Sequence, residues 1–342
     1  MSASSKKQIN VGLQGGGAHG AFTWGVLERL LEEDSIEIAG ISGTSAGALN
    51  GAALKAGLIK GGRQGAIENL EWLWSKIGSI TDLRLASWMT AFAPSPALVS
   101  QGLESSLFFN MADAATRVFS PYHYGPFYKN PLSDIVEEFE YDSVCAASAP
   151  HFFVGATNVR TGKIRVFQEH EINTDVILAS ACLPTLFQAV EIDGEAYWDG
   201  GYTGNPALFP LFEPELPADI VVININPLNR GEIPTSPTEI LNRINEIGFN
   251  SSLLRELRAI NFVKRLIDEG SIAEGAMKDV NIHMIADDAL MNDLSVATKL
   301  VPTASVILQL RAAGREAADS FIQKHSVDIG KRSSVDLSAM YD

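Results

Sequence analysis

The sequence predicts an α/β fold: a mainly parallel central sheet flanked by helices, with a partly helical insertion and a helical C-terminal extension. Two observations carry most of that expectation. A short run, Ile9 to Gln14, ends in Gly15-Gly16-Gly17-Ala18-His19-Gly20 and leads into a helical pattern. A second, Ile36 to Ser42, ends in Gly43-Thr44-Ser45-Ala46-Gly47 and leads into another. Strand, glycine turn and helix in immediate repetition is how parallel strands are connected.

The elements follow in order. Phe22, Val26 and Leu30 recur every four residues with Leu27 and Leu31 beside them, while Glu28, Arg29, Glu32 and Glu33 fall on the other face, so the first helix is amphipathic. The small residues from Ala46 to about Leu58 predict a helix able to lie close to a sheet. From Gly61 to about Asn130 the periodicity loosens. Leu70, Trp72, Leu73, Trp74 and Ile77 indicate one helix there, and Trp88, Met89, Phe92, Leu98, Leu107, Phe108 and Phe109 are scattered among Pro and Ser. Together with the aromatic loop Pro121 to Tyr128 they suggest an insertion over the sheet; peripheral core helices are the alternative. Strands resume at Phe152 to Val159 and Ile164 to Gln168. Asp193-Gly194 between Val190–Ile192 and Glu195–Trp198 signals a hairpin with a type I′ turn. Ile220 to Asn226 reads as a buried strand and Asn281 to Ile285 as a last one, with helical patterns over 237–270 and about 303–325. The expected organisation is one catalytic domain over 9–342, with an insertion at about 61–130 and a helical extension at about 235–342.

Composition excludes several classes of function. The 342 residues are 46% hydrophobic and 20% charged, as in a globular protein. The net charge of −15 argues against a general nucleic-acid binder, which needs a surplus of cations, and against tight attraction to anionic bilayers. Two cysteines, Cys145 and Cys182, are too few for a disulfide framework and read as small buried side chains. No run of 18 apolar residues is present, and the start, Met-Ser-Ala-Ser-Ser-Lys-Lys-Gln, lacks the apolar stretch of a signal peptide. A soluble, cytoplasmic protein is expected.

The chemistry is concentrated in two glycine turns and one aspartate. Gly15 to Gly20 fits G-x-G-x-x-G, but the second strand ends without the carboxylate that a dinucleotide site uses for the ribose. The second turn instead matches G-x-S-x-G, with a strand before and a helix after, which places Ser45 on a sharp turn at the sheet edge. A serine attacking an ester needs preorganised N–H donors for the oxyanion. The amides of Gly15, Gly16 and Gly17 are candidates, with that of Ala46 as a further one. Asp199-Gly200-Gly201 puts a carboxylate at the end of a strand, on the edge where open α/β sheets bind ligands. A histidine-dependent triad is the rival arrangement, and only His283 and His325 follow Asp199.

These motifs, in this order, resemble those of the patatin-like phospholipases. Val154-Gly155-Ala156-Thr157 with Thr161-Gly162, and Ala179-Ser180-Ala181-Cys182-Leu183-Pro184 agree as well, and the resemblance covers roughly residues 9–226. It implies a patatin-like core and hydrolysis of lipid carboxylic esters by a dyad of Ser45 and Asp199, without an essential histidine, metal or organic cofactor. His19 stands where many relatives carry Arg or Lys, and a neutral imidazole would give the oxyanion less positive potential. The expected partner is a lipid or ester substrate, with transient contact to a membrane surface through aromatic residues of 83–128, which would also supply much of the acyl site. A small-ester or polyester hydrolase on the same dyad, or a non-catalytic lipid-binding protein, are the alternatives. Oligomeric state is not legible.

Overall fold

The computed structural model describes residues 6–79, 102, 120–273 and 275–341. In chain order the main elements are β1 (Lys7–Leu13), α1 (Gly20–Glu32), β2 (Ile36–Gly43), α2 (Ala46–Ser79), the short helices α3 (Ser133–Val136) and α4 (Tyr141–Val144), β3 (His151–Asn158), β4 (Ile164–Gln168), α5 (Thr174–Ser180), β5 (Val190–Ile192), β6 (Glu195–Asp199), β7 (Asp219–Ile223), α6 (Pro237–Asp268), β8 (Asn281–Ile285), the short α7 (Asp288–Asn292) and α8 (Val296–Leu300), and α9 (Ala304–His325). The eight strands form one sheet along the path β5-β6-β3-β2-β1-β7-β8, with β4 also on β3. The pairs β1–β2, β1–β7, β2–β3 and β7–β8 are parallel, whereas β3–β4, β3–β6 and β5–β6 are antiparallel.

Helices cover both faces, and β7 shows why. Its side chains alternate: Val221 and Ile223 enter the core shared with α1, α2 and α9, while Ile220 and Val222 enter a second core with Leu253, Leu257 and Ile260 of α6. All four are fully buried, which explains the unbroken apolar run. On the first face α1 and α9 are joined by Glu28 and Arg311, 2.7 Å apart, and Arg311 lies 4.1 Å over the Trp24 ring. On the second, α6 starts on Ser236 and Glu239 in a reciprocal capping box with Pro237 in the first turn.

Residues 63–79, read from sequence as the opening of an insertion or as a peripheral core helix, pack into the core. The helical segment that starts at Ala46 breaks at Gly61 and Gly62 and then resumes, burying Leu70, Leu73 and Trp74. Trp74 stacks on Trp24 with ring centres 6.5 Å apart. Asp193 and Gly194 both have positive φ, 51° and 79°, as the type I′ hairpin requires.

Register brings the two distant motifs together. Phe153 and Val154 of β3 pair with both β2 and β4, and Ala156 and Thr157 pair with both β4 and β6. A strand has only two edges, so β2 and β6 share one edge of β3 in tandem. Gly43, the last residue of β2, pairs with Val154, and Asp199, the last of β6, pairs with Ala156. The two strands therefore run toward each other and end side by side, which delivers Ser45 and Asp199 to one place.

Candidate active site

Between the end of β2 and the start of α2 the chain must turn within Thr44 and Ser45. Ser45 does so in the left-handed region, φ 56°, at a cost of about 1–2 kcal/mol for a residue with a Cβ. Its neighbours hold it there. The Ser45 N–H donates to Ser180 Oγ at 2.9 Å, and the Ser180 hydroxyl donates to the Gly155 carbonyl at 2.7 Å. The Thr44 hydroxyl donates to the Gly204 carbonyl at 2.8 Å. The turn sets the Ser45 side chain over the N-terminus of α2, where the helix dipole favours negative charge.

Asp199 is fixed at both backbone ends. Its N–H donates to the Cys182 carbonyl at 2.8 Å, and its own carbonyl accepts the Thr157 hydroxyl at 2.8 Å. The carboxylate is 1% exposed, and Oδ1 accepts the Gly201 N–H at 2.7 Å. Burial pushes its pKa up to about 7, against the downward pull of the Gly201 N–H and of the nearby Ser45 side chain. Such a carboxylate can take up a proton near neutral pH, which a solvated one does poorly.

The glycine loop leaves β1 beside this pair. A Cβ on Gly15 would lie 2.7 Å from the Ser45 Cβ, so backbone and serine are in direct contact. One sequence expectation is corrected here: the Gly15 N–H already donates to Asn205 Oδ1 at 2.6 Å and is not available to an oxyanion. No acceptor among the described residues binds the N–H of Gly16, Gly17 or Ala46.

Ser45, Asp199, Gly16 and Gly17 all line one cavity of about 340 Å³. Its walls are largely apolar, with Leu49, Trp74, Ile77, Leu132, Leu186 and Phe249 among them, a lining suited to an aliphatic chain. Residues 12–212, which carry both glycine turns and Asp199, match the patatin-like phospholipase family. The chain belongs to that family. Two further likenesses are weaker. The chain resembles the crystal structure of VipD from Legionella pneumophila, with 14% identity and a TM-score of 0.45, covering 94% of this chain and 68% of that one. It is also 25% identical over 212 residues to mitochondrial cytochrome P450 11B of Aquarana catesbeiana, covering 56% of this chain and 40% of that protein's length.

No histidine lines the cavity among its described residues. His283 is fully buried elsewhere, with Nε2 2.9 Å from Asp219 Oδ1 and Nδ1 3.1 Å from Ser334 Oγ, and His325 pairs with Asp328 at 3.1 Å. Replacing His283 by Gln is therefore expected to lower the melting temperature while leaving kcat/KM of the folded enzyme within about twofold, as steady-state kinetics would show. Trp88, Met89 and Phe92, expected at the acyl site, lie outside the described residues. The Tyr122 and Tyr128 hydroxyls of the aromatic loop accept the N–H groups of Ala189 and Gln188, next in the chain to Phe187 of the cavity wall. Asn205 and Asn226, which position the loop, carry no spacing signal in the sequence, whereas Ser180, which positions the turn, falls in the Ala179–Pro184 segment that shares in the resemblance.

Proposed function

We propose that this protein hydrolyses lipid carboxylic esters, as a phospholipase A or related lipid acyl hydrolase, with Ser45 as nucleophile and Asp199 as its base. The Ser45 hydroxyl attacks the ester carbonyl while its proton passes to Asp199. The N–H groups of Gly16, Gly17 and Ala46 receive the negative oxygen of the tetrahedral intermediate. The intermediate collapses to an acyl-enzyme as Asp199 returns the proton to the leaving alcohol. Water, deprotonated by Asp199, then releases the fatty acid and restores Ser45. Every proton moved has a named donor and acceptor, and no step calls for a metal or organic cofactor.

One observation carries this reading: a strained serine and a carboxylate that is 1% exposed line the same largely apolar cavity, near enough for the serine side chain to act on the carboxylate's pKa. The apolar walls favour a lipid acyl group over a short, polar ester, and the paired hydroxyl and carboxylate favour an enzyme over a lipid carrier. A single catalytic unit over residues 9–342 is part of the proposal, since β8 from the C-terminal part extends the same sheet. Among the described residues no helix is long and apolar enough to cross a membrane. Cytoplasmic placement is likewise proposed, in keeping with two free thiols. A fluorophosphonate probe should label the wild type on the peptide containing Ser45 and leave Ser45→Ala unlabelled. Full labelling of folded Ser45→Ala would refute the assignment.

A further inference from the structure

The glycine loop has no cation of its own. His19 is 1% exposed and its Nε2 lies 2.8 Å from Thr298 Oγ1. The Thr298 hydroxyl proton is committed to the Ser295 carbonyl at 2.7 Å, so Thr298 accepts from His19 Nε2–H. His19 Nδ1 has no partner among the described residues, and an imidazolium would leave a buried N–H unpaired there. Burial, with Lys299 and Arg230 nearby, holds its pKa well below the usual value. His19 is neutral, and its side chain points to the helix that bears Lys299.

Lys299, on α8, is the one cationic side chain among the described residues lining the cavity. Its backbone carbonyl packs on Gly17, 2.4 Å from where a Cβ would stand. Its Nζ donates to Asn226 Oδ1 at 2.9 Å, and Asn226 Nδ2 donates to the Gly15 carbonyl at 2.8 Å. That carbonyl belongs to the same peptide unit as the open N–H of Gly16. An ammonium, a side-chain amide and a backbone amide are thus strung in one hydrogen-bonded chain that ends at the cavity. Such chains polarise cooperatively, each bond strengthening the next donor.

We propose that Lys299 is a positioning residue for the hydrolysis: through Asn226 it polarises the Gly15–Gly16 peptide and supplies the positive potential that the loop lacks. The proposal rests on the reading of Ser45 as nucleophile and assigns the electrostatic part of its oxyanion site. The groups facing Lys299 are Glu246 from α6, Arg230 and Asn226 from the segment after β7, and His19 from the glycine loop. Glu246 is already held by Arg230 at 2.6 Å and Arg243 at 3.3 Å, so its charge is shared with two guanidinium groups. Burial lowers the Lys299 pKa to about 8, leaving it cationic at neutral pH.

The test uses hydrolysis of a neutral, soluble ester, 4-nitrophenyl butyrate, by wild type, Lys299→Gln and Lys299→Arg, with melting curves for each. Lys299→Gln should lower kcat by about tenfold or more, equivalent to about 1.4 kcal/mol, with KM little changed. Lys299→Arg should recover most of the loss. The wild-type rate should also fall as pH rises past about 8, and that alkaline limb should vanish in Lys299→Gln. An unchanged kcat, a loss carried by KM alone, or a folded Lys299→Arg as slow as Lys299→Gln would overturn the proposal. A loss confined to phospholipid substrates would do the same, and would make Lys299 a headgroup contact. Should Lys299→Gln fail to fold, the wild-type profile decides: a rate undiminished up to pH 10 overturns the proposal. Fluorophosphonate labelling separates the two layers. If wild-type Ser45 is not labelled, both readings fall; if it is labelled and Lys299→Gln is unimpaired, only the role of Lys299 falls.

Discussion

Asp199→Asn is expected to lower kcat for ester hydrolysis by about 10⁴-fold or more, since a triad serine protease loses about that much when only its histidine-orienting carboxylate is replaced by the amide, and here the carboxylate takes the proton itself. The amide can occupy the same space and still accept the Gly201 N–H, but it cannot take the Ser45 proton. The same substitution carries a second, opposite signature in stability. Burial raises the native pKa to about 7, above the ordinary 3.8, so the unfolded chain ionises first as pH rises. The native state therefore loses stability across the window from about 4 to 7, and above 7 the full cost of the buried charge is present. The melting temperature of Asp199→Asn relative to wild type should accordingly be higher at pH 8 than at pH 4. An enzyme that becomes more stable at alkaline pH as it becomes inactive is the expected result, measured by calorimetry and steady-state kinetics side by side.

Gly47→Ala is the second large effect. A Cβ at this position would stand 2.1 Å from the Leu13 carbonyl oxygen and 3.0 Å from that of Gln14, both backbone atoms at the root of the glycine loop. Neither can yield without moving the end of β1 away from α2, and with it Gly16 and Gly17 away from Ser45. Misplacement of reacting groups by about 1 Å costs on the order of 10²-fold in rate, and overpacking of backbone costs about 1–3 kcal/mol in stability. Both losses should appear together in kcat/KM and in the melting temperature. Retained activity at wild-type stability would mean that the two turns do not meet as described.

The parts of the fold that were legible share one property: they are written in short-range pattern. β2 and β8 begin where the sequence places them, β4 matches at both ends, and the Asp193-Gly194 turn follows from its two residues alone. The helix over residues 63–79 was legible from Leu70, Leu73, Trp74 and Ile77, while the sequence left open whether it belongs to the core or to an insertion. Lys60-Gly61-Gly62-Arg63-Gln64-Gly65 offers no apolar periodicity, so the pattern breaks just where a kink lets the helical segment continue. The tandem placement of β2 and β6 on one edge of β3 depends on register between segments more than 150 residues apart, and no local pattern encodes it. In the site, Ser45 and Asp199 announced themselves through flanking glycines. Gly15 was legible as a loop residue but not as one whose N–H is already taken, because its acceptor, Asn205, is 190 residues away. His19 was legible as a departure from its relatives, whereas its neutrality rests on its burial and on Thr298, and the cation beside it sits on a short helix with no motif around it.

The central claim is spatial: Ser45 attacks, and the amides of Gly16 and Gly17 stand where the negative oxygen forms. A crystal structure of the fluorophosphonate-treated protein tests it most directly. The expected result is phosphorus bonded to Ser45 Oγ, with the phosphonyl oxygen about 2.7–3.1 Å from the Gly16 and Gly17 nitrogens. Phosphorus on another residue, or a phosphonyl oxygen turned away from both amides, would contradict it.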